Sequence, residues 1–283
     1  MHSTGHTLLG IRRAERFSPG SKHNDSAILE AVSAEIRKHG YNVCLCTEEE
    51  FVNGNHGIPQ AIFGMARSEE AIEKLQLMEQ NGIPTVNSSA GIRNCSHANF
   101  TQLFAKHSIP QPESKIISTD SSFCFPSFPC WIKRGEGCAQ DADDVSFIQT
   151  QEEGAAVLRA LNERNIQEAV VCQHLTGDLI KFYGVRGTDF FHSFYPTAMQ
   201  YSKFGLEQHN GLPNMFDYEA EKLKYIATQA AKATGIEIYG GDSIVQQDGS
   251  ILLIDFNDWP SFSCCRTEAA TYIADCIMKH IRE

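Results

Sequence analysis

The run Ile251-Leu-Leu-Ile-Asp255-Phe-Asn257-Asp-Trp-Pro-Ser261-Phe262 carries an apolar strand straight into an acid, an amide and a proline-containing turn. Side chains alternate across a strand with a period of two, so Asp255 and Asn257 share one face. Just upstream, residues 237–245 form a second apolar strand with Asp242 near its end. Between the two lies Gln246-Gln247-Asp248-Gly249, whose Asp-Gly pair suits a tight hairpin turn. The hairpin gathers three hard oxygen donors, Asp242, Asp255 and Asn257. Magnesium on ATP phosphates takes one or two carboxylates from protein and fills its remaining positions with water and phosphate. A bare Asp-x-Asn reads as a solvated hairpin face, but an apolar strand that ends in this turn makes a poor solvent face.

Working outward from the hairpin, residues 178–185 alternate so that Lys181 and Tyr183 share a face, and 190–194 continue as strand. Helices are expected over 218–234, with Leu223, Ile226, Ala227 and Ala230 inward, and over 267–281. A smaller block has strands at 130–133 and 169–173 around a helix at 152–164, too little chain to bury much surface alone. Prolines, serines and threonines crowd 111–129 and mark a boundary. The first third alternates strands at 8–11, 42–46, 61–65 and 83–87 with helices at 26–39, 69–79 and 98–107, the rhythm of a small open parallel sheet.

The chain has 283 residues, 42% of them hydrophobic, and a net charge of −11, which excludes a disordered chain and argues against nucleic-acid binding. A polar start at residues 1–7, no long apolar run, and ten cysteines without framework spacing point to a cytoplasmic protein with reduced thiols and no membrane partner. Cys44-x-Cys46 and Cys264-Cys265 lack the spacing of zinc knuckles and read as ordinary thiols.

The strand ending Asp255-Phe-Asn257 before a Pro-Ser turn resembles the metal-binding end of the ATP-grasp superfamily, with Ser261 where a glycine is usual. Trp131-Ile-Lys133-Arg-Gly135-Glu-Gly137 looks like that family's lysine and flexible loop, and Val170-Val-Cys-Gln173-His174-Leu175 like its adenine-binding hinge. The resemblance covers essentially the whole chain. It implies an α/β architecture in three parts: an N-terminal open parallel-sheet domain at 1–112, a small α+β lid at 113–176 and a C-terminal α+β grasp domain at 177–283. Its implied cofactors are ATP and magnesium, the latter on Asp242, Asp255 and Asn257.

Within that frame Lys133 is a point charge for the α- and β-phosphates, and Gly135 and Gly137 let backbone amides approach without Cβ interference. Gln173, His174 and Leu175 would offer backbone hydrogen bonds to adenine. Asp178 is the ribose candidate and Lys181 a phosphate candidate. Arg186, at the end of its strand, suits a carboxylate or a phosphoryl transition state, placing it with Lys133 and Lys181 among the catalytic candidates. Arg12, Arg13 and Arg16 follow the first strand, where open α/β sheets bind ligands; Arg12 and Arg13, with Ser261 and Arg266 of the closing loop, are the expected contacts to a small anionic or peptide-like acceptor.

Two subgroups are similar. The Asn87-Ser-Ser-Ala-Gly-Ile92 run resembles ligases that attach glutamate to a peptide or ribosomal protein, and the Asp242, Asp255, Asn257 arrangement with the Phe190-Phe-His-Ser-Phe-Tyr-Pro196 segment resembles inositol trisphosphate kinases. A carboxylate-amine ligase working through an acyl phosphate is the favoured expectation, because a polyphosphate kinase needs more clustered cations than this chain shows. The alternatives are the kinase and a nucleotide-binding regulatory module without catalysis. Oligomeric state stays open.

Overall fold

The computed structural model describes residues 7–17, 22–54, 56–137, 140–196, 209 and 213–282. The polar start at 1–6 and most of the loop before the 218–234 helix lie outside them. Three four-stranded sheets organise these residues. The first is parallel, in the order β2-β1-β3-β4, from β1 (Thr7–Ile11), β2 (Asn42–Cys46), β3 (Ala61–Gly64) and β4 (Thr85–Val86). Around it lie α1 (Lys22–Lys38), α2 (Glu48–Asn53), α3 (Glu69–Gln80) and α4 (Ser89–Asn94), and then comes α5 (His97–Lys106).

The second sheet is antiparallel, in the order β5-β8-β6-β7, from β5 (Ser114–Ser118), β6 (Cys130–Arg134), β7 (Val145–Ile148) and β8 (Glu168–Gln173), with α6 (Gln151–Glu163) on one face. The third, also antiparallel, runs β10-β9-β11-β12, from β9 (Asp178–Val185), β10 (Phe191–Phe194), β11 (Ile238–Val245) and β12 (Ile251–Asp258). α7 (Ala220–Thr234) precedes β11 and α8 (Arg266–Arg282) closes the fold.

β5 runs through the segment read as a boundary, and α2, α4 and β7 have no counterpart in the expected elements. They are short, and a few residues show little periodicity. The signal for α2 was nonetheless present. Thr47 accepts from the Glu50 amide while the Glu50 carboxylate accepts from the Thr47 amide, the reciprocal cap that Ser/Thr-x-x-Glu announces.

Packing ties the chain ends together. Leu8, Ile28 and Phe63 share a buried cluster with Trp259, Ile273 and Ile277, so α8 covers the parallel sheet of the opposite end of the chain. In return Phe100 and Phe104 of α5 join Phe182, Leu223 and Phe256 in the core of the third sheet. Asn87 fastens the two bodies: its buried amide donates to the Ile238 carbonyl at 2.8 Å and accepts from the Glu237 and Ile238 amides. Among the described residues no helix is long and apolar enough to cross a membrane.

Candidate active site

Strict alternation along β12 would defeat the site. Ile251 and Leu253 are buried, and with a period of two Asp255 and Asn257 would follow them into the core. A bulge prevents this. Asp242 pairs with Asp255 but Ser243 pairs with Leu253, leaving Ile254 as the extra residue. The inserted residue reverses the parity, so Phe256 takes the core position and Asp255 and Asn257 turn to the open face.

The bulge also places the lysine. Lys133, on β6 and only 9% exposed, donates from Nζ to the Ile254 carbonyl at 2.5 Å. The second sheet thus touches the third beside Asp255. Gly135, just past Lys133, donates its amide to the Glu168 carbonyl at 2.8 Å, and a Cβ there would meet that same oxygen. Gly137 holds φ +63°, a conformation glycine adopts without penalty.

Asp255 is the electrostatic centre. Burial works against its charged form, but His97, Lys133 and Asn257 together outweigh it and hold the carboxyl well below the usual carboxylate range. Asn257 donates to Oδ2 at 2.6 Å and the Phe256 amide to Oδ1 at 3.0 Å. His97 Nε2 lies 3.6 Å from Oδ1, while its Nδ1 donates to the Arg134 carbonyl at 2.8 Å. The ring therefore links the strand that bears Lys133 to the hairpin. His97 was not anticipated. It lies at the start of a helix assigned to the N-terminal part, and only the packing of α5 on the third sheet brings it here.

Cross-strand register sets the remaining groups. Lys181 of β9, Asp242 of β11 and Asp255 of β12 stand directly opposite one another, and Lys181 Nζ is 3.1 Å from Asp242 Oδ2. The next row is Tyr183, Gly240 and Asn257. A magnesium ion fits the donors: the Asp255 carboxylate is 30% exposed on the open face, and Asn257, whose amide nitrogen is spent on Asp255, keeps its oxygen for a ligand. Asp242 stands beside this pair and also fixes Lys181.

A cavity of about 260 Å³ opens next to Asn257, between the glycine loop and the N-terminal helices, with Arg67, Arg93, Asn99, Gly135 and Gly137 among its lining. Arg67 reaches Asp258 Oδ1 at 2.6 Å, and Arg13 reaches the Trp259 carbonyl at 2.7 Å and Asp25 at 3.3 Å. All three ionic side chains around Asp258 are buried. Removing one partner of such a cluster strands the others, so Asp258→Asn is expected to lower stability by about 3–5 kcal/mol in denaturant unfolding. A loss below about 1 kcal/mol would show that solvent screens the cluster.

Several expected site residues lie elsewhere. Asp178, the ribose candidate, is 1% exposed and accepts from the Asn214 and Phe216 amides at 2.6 and 2.8 Å. It shares its parity with Ile180 and Phe182, so alternation itself turns it into the core. Arg186 is held by the Ile236 carbonyl and the Glu237 carboxylate rather than by the hairpin. Arg13 braces Asp258 from within, and Arg12 is paired with Glu30 at 2.5 Å. Arg266 bonds Asn24 at 3.1 Å, and Ser261 is half-buried in the loop after β12. The arginines on the cavity are instead Arg67 and Arg93.

Gln173 ends β8 beside the lysine strand, its amide donating to the Glu113 carbonyl at 2.9 Å, and His174 and Leu175 follow it. His174 accepts from the Trp131 indole at 3.1 Å, and burial, aided by His209, shifts its pKa down, which favours the neutral acceptor ring. Phe147, paired with Trp131 across β6 and β7, stacks on His209 at 4.4 Å. Trp131 and Lys133 share a face of β6, so an aromatic wall adjoins the lysine.

No family model matches the chain, and no curated protein matches it significantly. Solved structures do. A D-alanine–D-alanine ligase from Bacillus anthracis, solved in complex with ATP, superposes with a TM-score of 0.71 at 13% identity, covering 98% of this chain and 97% of that one. An ATP-grasp RimK domain protein from Sphaerobacter thermophilus gives 0.70 at 15%, covering 96% and 99%. D-alanyl-alanine synthetase A from Vibrio cholerae gives 0.69 at 10%, covering 99% of each chain. At such identities the likeness is one of fold, and the fold is ATP-grasp over essentially the whole length.

Proposed function

We propose that this ATP-grasp chain is a carboxylate-amine ligase that uses ATP and magnesium and forms an amide through an acyl phosphate. The observation that carries the reading is the meeting of Lys133 with the bulged strand at Ile254, which sets a buried cation beside the Asp255–Asn257 pair and next to the cavity. The matched ligases named above, one of them complexed with ATP, support it. We read the parts as 1–112, 113–176 and 177–283, with nucleotide between the second and third sheets.

Asp255 and Asn257, with Asp242 alongside, would hold magnesium, which when bound supplies charge neutralisation at the phosphates. Lys133 binds phosphate oxygens from the lid side, and Lys181, oriented by Asp242, approaches from the sheet floor. Gly135, whose amide is held by the Glu168 carbonyl, anchors the loop, and Gly137 lets main-chain amides close over the phosphates. His174 and Leu175, after Gln173, offer backbone hydrogen bonds to adenine beside Trp131 and Phe147. Catalysis of this kind is positioning and electrostatic stabilisation, with no covalent enzyme intermediate.

The acceptor lies in the 260 Å³ cavity. Arg93 supplies positive charge there, Arg67 being paired with Asp258, and Glu69, Glu136 and Glu168 supply negative charge, a mixture suited to an amino acid or peptide-like substrate with both a carboxylate and an amine. Arg93, which lines the cavity and also pairs with Glu69, is the contact we assign to the carboxylate.

The chemistry is tested by incubating the chain with Mg-ATP and pools of amino acids and peptides carrying oxygen-18 carboxylates. A ligase releases ADP and stoichiometric free phosphate bearing one labelled oxygen. ADP with a phosphorylated product and no free phosphate would instead establish a kinase.

A further inference from the structure

We propose that His192, Cys264 and Cys265 form a binding site for a thiophilic divalent cation, zinc, at the β10 edge of the third sheet. The ligand atoms of the three residues all lie within 4.8 Å of one another. The two thiol sulfurs are 3.9 Å apart; two sulfurs at the zinc bond length in tetrahedral geometry stand about 3.8 Å apart. Consecutive cysteines seldom turn both side chains to one point, and here the backbone already does so. His192 Nε2 is buried and has no hydrogen-bond partner among the described residues. A cation between the ring and the thiols would satisfy it.

The helix that follows favours thiolates. Both cysteines sit immediately before α8, a 17-residue helix whose N-terminal end stabilises negative charge. Binding would release one proton from each thiol and leave the cluster neutral overall. All three residues are half-buried, so water can take the fourth position.

Register connects this site to the hairpin. His192 pairs with Tyr183, and Asn257, Gly240, Tyr183 and His192 form one row across all four strands. The loop after β12 follows that row: Pro260 packs where a Cβ on Gly240 would go, and Phe262 lies against Tyr183 with ring centroids 5.1 Å apart. Cys264 and Cys265 then reach His192. A cation there would fasten the far end of the loop that carries Ser261.

A second soft cluster among the described residues, Glu237, Cys276 and His280, is less suited. Glu237 already pairs with Arg186 at 3.1 Å and His280 at 2.9 Å, and the guanidinium repels a cation.

The test uses the full chain, reduced and stripped with chelator, with excess magnesium present to occupy hard-oxygen donors. Zinc titrated against a chromophoric chelator should bind at one equivalent, and cobalt(II) should give a thiolate charge-transfer band. The Cys264→Ser/Cys265→Ser double variant should weaken binding by at least about 100-fold and abolish the band, and His192→Gln should weaken binding by about 10-fold or more. Cys44→Ser and Cys276→Ser should change neither. In unaltered protein, zinc should shield Cys264 and Cys265, but not exposed Cys44, from alkylation, a readout independent of any variant's folding. Absence of stoichiometric uptake, a band that survives the double variant, or one lost in Cys276→Ser would overturn the site.

Discussion

Asp255→Asn is expected to cut magnesium-dependent ATP turnover by about 1,000-fold or more while the chain stays folded. Charge neutralisation by a bound metal is worth several kcal/mol in the transition state, and each 1.36 kcal/mol is tenfold in rate. The substitution keeps the shape of the side chain and an oxygen that still accepts from the Phe256 amide, now 3.0 Å from Oδ1. It removes the charge that the bulge at Ile254 turns outward. Turnover at the wild-type rate with unchanged magnesium dependence would remove Asp255 from the metal site. The apo protein offers a second readout. Because the folded-state carboxyl is held below its ordinary range, its stabilisation is complete above the unfolded pKa and is lost as pH falls through the folded one. The variant should lack that acid-side loss.

The case of Asp255 shows what the sequence carried and what it did not. The hairpin was legible because Asp248-Gly249 fits a tight turn and both flanking strands are apolar. That Asp255 and Asn257 share a face followed from the period of two. That the face is the open one did not, since Ile251 and Leu253 have the same parity and are buried; the bulge that separates them leaves no residue signature. Asp178 is the opposite case. Its parity with Ile180 and Phe182 pointed to the core, and a reading that weighed that pattern above the residue's charge would have found the loop-holding role. His97, Arg67 and Arg93 were out of reach for another reason. Each lies in a helix or loop of the first hundred residues, and reaches the hairpin or the cavity only through the docking of α5 and the parallel sheet, a long-range arrangement no local pattern encodes.

Lys133→Ala is expected to weaken ATP binding and turnover by about 100- to 1,000-fold, the usual cost of deleting one preorganised donor to a developing or bound anion. Lys133 is fixed before any ligand arrives, since its Nζ already donates to the Ile254 carbonyl, and so it meets phosphate with little reorganisation. The same bond complicates the experiment. Alanine removes a charged hydrogen bond, worth about 1.5–3 kcal/mol, so part of any loss reflects a loosened lid. Lys133→Gln separates the two effects, because glutamine still donates to a carbonyl but carries no charge. If the charge on the phosphates matters, calorimetry will show both variants losing nucleotide affinity alike, although the glutamine variant retains more of the stability. Nucleotide affinity unchanged in either variant would confine Lys133 to holding the second sheet against the hairpin.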